Sequence, residues 1–73
     1  MMKAKVNLDT GSTIKSFVEI CTRIDVPVFL VDGEDFCVSA KSLLGAVATM
    51  DWSEVYVLCE KDIRVYIMDY LAD

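Results

Sequence analysis

The feature that most limits this chain is a change of hydrophobic period near its start. From Lys3 to Leu8 apolar and polar residues alternate, with Ala4, Val6 and Leu8 on one side and Lys3, Lys5 and Asn7 on the other. That is the pattern of a strand buried on one face. From Ile14 the repeat becomes helical: Ile14, Phe17, Val18, Cys21 and Ile24 form one stripe, while Lys15, Ser16, Glu19 and Thr22 face water. Between the two, Asp9, Thr10, Gly11, Ser12 and Thr13 supply turn and capping chemistry. A one-sided strand followed by a one-sided helix buries its apolar surface only in a shared core. A chain of 73 residues has room for one such core, so residues 1–73 are expected to form a single domain.

The remaining segments follow the same logic. Pro27 suits the start of a strand over Val28, Phe29, Leu30 and Val31, which closes at the turn pair Asp32 and Gly33. The segment Phe36 to Ala40 reads as the next strand, joined through a connection of three to five residues or a bulge. Leu43, Ala46, Val47 and Met50 then recur at i, i+3, i+4 and i+7, predicting a short helix from Ser42 to Met50 despite Gly45. Val55, Val57 and Cys59 alternate with Tyr56 and Leu58 in a fourth strand that is apolar on both faces. In the tail, Ile63, Tyr66, Ile67 and Tyr70 fit a helical stripe with Asp62 as its N-cap, although Val, Tyr and Ile also form strands. The predicted order β-α-β-β-α-β-α is that of an α+β fold, with one largely antiparallel sheet and helices layered on one face.

Composition narrows the function. Hydrophobic residues are 55 % and charged residues 26 % of the chain, the balance of a compact globule. Twelve acids against seven bases give a formal charge of −5 without a basic stripe, which argues against a nucleic-acid partner. No apolar run is long enough to span a membrane and the first ten residues lack a signal-peptide core, so a soluble protein is expected. Cys21, Cys37 and Cys59 are odd in number and form no CxxC pair, which suits reduced thiols in the cytoplasm.

The element order, together with the stretch Ala40 to Leu58, resembles the HPr family, the small histidine-containing phosphocarriers of the bacterial sugar phosphotransferase system. The most specific part is Lys41-Ser42-Leu43-Leu44-Gly45, which is similar to the family's Lys-Ser-Ile-Met-Gly signature at the start of its second helix. The resemblance implies an open-faced two-layer sandwich with a four-stranded antiparallel sheet in the order 1-4-2-3. It also places the family's carrier histidine at the start of the first helix, where this chain has Thr10, Gly11, Ser12 and Thr13. The chain has no histidine at all. Imidazole accepts and releases a phosphoryl group near neutral pH, whereas a Thr or Ser hydroxyl is a poor leaving group, so carrier activity is not expected at Thr10 or Ser12. The expected function is that of an HPr-like protein without phosphocarrier activity, a protein-interaction and regulatory module rather than an enzyme.

The resemblance implies two further roles. Ser42 matches a serine that a dedicated kinase phosphorylates in relatives, which then bind a transcriptional regulator. Leu44, Val47 and Met50 match a docking patch beside the start of the first helix. Each residue also has a plain structural reading: Ser42 as an N-cap, and the apolar residues as core. Since Leu43 and Ala46 suffice to seat a short helix, Leu44 is left to point outward. Thr10 to Thr13 read as a capped turn or as an anion-binding helix start. The second functional class is therefore a small-molecule-binding regulatory α/β domain with its ligand near Thr10 to Thr13. Tyr56 and Leu58, joined by Phe29 and Val31, read as an apolar outer sheet face that would stack two copies into a homodimer. Asp32, Glu34 and Asp35 lack EF-hand spacing and read as a solvated turn, so neither a metal nor any other cofactor is expected. The thiols have no activating neighbour in sequence and read as core hydrophobes.

Overall fold

The structure, a computed structural model, describes residues 1–33 and 35–72. Four strands, β1 (Met2–Lys5), β2 (Val28–Val31), β3 (Cys37–Ser39) and β4 (Tyr56–Cys59), form one antiparallel sheet in the order β1-β4-β2-β3. Two α-helices, α1 (Gly11–Thr22) and α2 (Leu43–Ala48), follow β1 and β3. The α+β class and the 1-4-2-3 order are as the sequence reading expected. β4 sits inside the sheet, with Val57 opposite Ala4 on one side and Leu30 on the other.

The alternation of the strands sorts their side chains onto two faces. Met2, Val28, Leu30, Val57 and Cys59 point into the core, where they meet Ile14, Phe17, Val18 and Cys21 of α1 and Ala46 of α2. The opposite face carries Lys3, Phe29, Val31, Tyr56 and Leu58, all exposed or half-buried. Both helices therefore cover the same side of the sheet. Lys3 extends across the uncovered side, with its ammonium 4.9 Å from the centre of the Tyr56 ring.

Helix α1 is predicted well because its signals are local. Thr10 accepts the Thr13 N–H at 3.1 Å as N-cap, and Ile14, Phe17, Val18 and Cys21 are the buried stripe. The helix closes as the Arg23 and Ile24 N–H groups donate to the Ile20 and Cys21 carbonyls at 3.1 Å. Between β2 and β3, Gly33 takes φ +94°, a conformation that disfavours other residues. The Asp32 carboxylate accepts the Phe36 N–H at 3.1 Å, which makes the first acid of the run a loop-closing group. Glu34 of that run lies outside the described residues. The third strand is shorter than expected, since Phe36 stands outside it and is 62 % exposed.

Two expectations are corrected. The second helix ends at Ala48 and continues as a single 3-10 turn, Thr49–Asp51. Its buried contacts are Ala46 and Thr49, while Leu43, Val47 and Met50 of the expected stripe are exposed. Thr49 escaped a hydrophobic count because it is polar. Its hydroxyl donates to the Ala46 carbonyl at 2.7 Å, so the side chain enters the core without an unsatisfied group. Gly45 faces β3 at close range. A Cβ there would stand 3.2 Å from the Val38 Cβ, so the glycine lets the short helix approach the edge strand.

The tail is not the α-helix predicted from Asp62 onward. It forms two 3-10 turns, Arg64–Tyr66 and Met68–Tyr70, and then runs extended along β1. The Asp62 carboxylate accepts the Arg64 N–H at 3.1 Å but caps no α-helix. The Asn7 N–H donates to the Tyr70 carbonyl at 2.8 Å and the Ala72 N–H to the Lys5 carbonyl at 2.9 Å, with Val6 opposite Leu71. At the other end, the Ile63 N–H points to the Met2 sulfur at 3.2 Å. A segment anchored at both ends and rich in β-branched residues takes the more extended 3-10 geometry. Ile63 and Ile67 are buried, Tyr66 of the expected stripe is exposed, and the Tyr70 ring meets Phe17 edge-on at 5.3 Å.

The tail is thus part of the core. Ile67→Ala is expected to lower unfolding free energy by about 2–5 kcal/mol, whereas the exposed neighbour changed in Met68→Ala should stay within about 0.5 kcal/mol. Denaturant melts of both variants measure the difference.

Candidate functional site

Ser42 stands where the chain turns from β3 into α2. Its backbone is extended, with φ −102° and ψ 118°, and its hydroxyl accepts the Gly45 N–H at 3.2 Å. The side chain is exposed. Lys41, beside it, does something that the sequence reading missed. Its ammonium reaches across to donate to the Ile24 carbonyl just past the end of α1, which has no basic residue in its own last turn. A cation there complements the negative end of the helix dipole and ties the two helices together. Nothing in the local pattern signals such a contact, because the partner lies 17 residues away.

The surface of α2 above this cap is apolar. Leu44 is 86 % exposed, and Leu43, Val47 and Met50 are each at least 44 % exposed. Met50 shares a surface hollow with Asp9 and Trp52, which brings the end of the α2 segment to the loop that precedes α1. Thr10, Ser12 and Thr13 follow directly on that loop. There the Thr10 hydroxyl donates to the Thr13 hydroxyl at 2.7 Å and lies 3.4 Å from that of Ser12, a hydroxyl cluster on top of the N-cap. The chain matches no known family model, curated protein or solved structure.

Other places singled out in the sequence are dispersed over the molecule. Tyr56, Leu58, Phe29 and Val31 lie on the uncovered sheet face, with Leu58 opposite Phe29 and Tyr56 opposite Val31. A hollow of about 670 Å³ lies at the far end of α1, lined by Ile20, Arg23, Ile24, Lys61, Ile63 and Tyr66, away from Thr10 to Thr13. A salt bridge of 3.6 Å between Lys61 and Asp25 flanks it. Among the described residues no three His, Cys, Asp or Glu side chains converge as a metal site, and no helix is long and apolar enough to cross a membrane.

The thiols are free, with Cys21 and Cys59 buried and Cys37 exposed at the sheet edge. Burial pushes the Cys21 thiol up from about 9 to about 12; neighbouring Cys59 adds to the rise and the Lys41 ammonium opposes it. A buried thiol held in its neutral form is a poor nucleophile.

Two expected outcomes follow from this geometry. Ser42→Ala removes the cap and should cost about 1 kcal/mol, while Ser42→Asp, which keeps a capping oxygen, should cost less in the same melts. Because the Cys21 pKa is raised on folding, its contribution to stability is complete below about pH 9 and is lost as the pH rises towards about 12. Over that window wild type should lose stability faster than Cys21→Ala by up to about 1.4 kcal/mol per pH unit, measured by denaturant melts at successive pH values.

Proposed function

We propose that this chain acts by protein contact through the exposed face of α2, as an HPr-like regulatory module of the sugar phosphotransferase system without carrier activity. The observation that supports the docking role is the exposure of Leu43, Leu44, Val47 and Met50 on α2 and the 3-10 turn that continues it, a segment that seats itself with Ala46 and Thr49 instead. A helix that spends its small and hydrogen-bonded residues on the core and holds its large apolar ones in water offers a contact surface. The link to the phosphotransferase system rests on the sequence resemblance at Lys41 to Gly45 and accords with the sheet order.

Ser42 is the regulatory position in this reading, the acceptor of a phosphoryl group from a serine kinase in a reducing cytoplasm. Its hydroxyl is exposed and sits one residue before the apolar face, so a phosphate placed there alters the charge at the border of that face. At a helix start the added charge meets the positive end of the backbone dipoles, so modification is compatible with a folded α2. The partners are accordingly the kinase and a protein that distinguishes the two states of Ser42, such as a transcriptional regulator. Carrier chemistry plays no part, because the chain has no imidazole.

The test pairs two variants. Leu44→Asp should abolish retention of the partner in a pull-down while leaving the melting transition unchanged, and Ser42→Asp should change which partner is retained. Incubation with a phosphotransferase-system serine kinase and ATP should add one phosphoryl group to wild type and none to Ser42→Ala, read by mass. Relay of phosphorus-32 from an upstream donor through the chain to an acceptor would overturn the reading.

A further inference from the structure

We propose that the surface recognised by α2 on its partner is an apolar ridge bordered by lysine and arginine. This inference rests on the docking role proposed above and adds the partner's chemistry. The apolar surface does not stop at the helix. Met50 and Trp52 line one hollow, and the Phe36 ring, itself 62 % exposed, stacks on Trp52 at a centroid distance of 6.1 Å and an angle of 22°. Just beyond α2, Met50 thus adjoins a half-buried tryptophan on which an exposed phenylalanine from another loop stacks.

Two exposed carboxylates adjoin these residues in the chain. Asp51 lies between Met50 and Trp52, Asp35 directly precedes Phe36, and both are exposed and outside any ion pair among the described residues. Over residues 43–54 the charged side chains are Asp51 and Glu54. Of the bases nearby, Lys5 is neutralised by an acid, and Lys41 keeps its charge but is drawn to the end of α1, before the start of α2 and not beside Met50. Lys41 donates to the Ile24 carbonyl, and Lys5 pairs with Glu54 at 3.7 Å. Over residues 9–16 the charges of Asp9 and Lys15 cancel. What remains is an apolar centre adjoined in sequence by net acidic charge, on a chain whose formal charge is −5. Such a charge selects a basic counterpart through steering and register, and repels an acidic one.

The probes are three synthetic amphipathic helical peptides that share one pattern of leucines and carry lysine, glutamine or glutamate at every polar position. Each is titrated into the isotopically labelled full chain and followed by amide chemical shifts. The lysine peptide should move the signals of Leu44, Val47, Met50 and Trp52, and bind about tenfold more tightly than the glutamine peptide at low salt. Raising the salt to about 0.5 M should remove most of that advantage. The double variant Asp35→Asn, Asp51→Asn, checked for an unchanged melting transition, should remove it as well while still binding the glutamine peptide. Equal binding of the lysine and glutamine peptides at α2 would overturn the charge inference and leave the docking role standing. So would a lysine peptide whose shifts map elsewhere while the glutamine peptide binds α2. If none of the peptides moves the α2 signals, the docking role fails and this inference fails with it.

Discussion

Strand β4 is what makes the sheet one object. Its four residues, Tyr56–Cys59, pair with β1 on one side and with β2 on the other, so Val57 lies between Ala4 and Leu30. Without it, β1 has no neighbour within the sheet, and β2 and β3 are an isolated hairpin, which is marginal in water. The first helix therefore connects two strands that never touch, and α1 lies against a sheet completed only by the last third of the chain. Contacts this distant in sequence require the loops to close before burial repays them. The apolar character of β4 on both faces fits its interior position, while Tyr56 and Leu58 lend apolar surface to the uncovered side.

The same arrangement makes the surface of α2 informative. A domain this small buries only about 60 % of the area that its unfolded chain exposes, so its stability margin is narrow. Yet α2 directs Ala46 and the internally satisfied Thr49 inward and leaves its large apolar side chains in water. Folding stability alone does not call for that distribution, and Gly45 shows where the room went. The backbone comes so near β3 that a Cβ would crowd Val38. Close approach through small residues on one side leaves the bulky ones on the other. Just beyond the helix, Phe36 stacks on Trp52.

Much of this was legible from residue order. The stripe of Ile14, Phe17, Val18 and Cys21, the cap at Thr10 and the alternation of Val55, Val57 and Cys59 are local signals, and the molecule follows them. The outward position of Leu44 could also be anticipated, since other residues suffice to seat so short a helix. Three features could not. Thr49 is a buried polar residue and falls outside any hydrophobic pattern. Lys41 acts on a carbonyl at the far end of another helix. The tail has helical spacing, but its course is set by anchors at Met2 and along Lys5 to Asn7, near the opposite terminus.

By itself the sequence determined the number and kind of most elements, the face that the strands and α1 present to the core, and the absence of any imidazole for phosphoryl relay. These depend on side-chain period, capping chemistry and residue identity, which act over a few positions along the chain. Tertiary structure alone decided which apolar residues of α2 remained in water, how Lys41 was used and why the tail became 3-10 turns and a single bridge to Val6. Each of those outcomes is a competition for space or hydrogen bonds between segments far apart in the chain, and no local pattern records who wins.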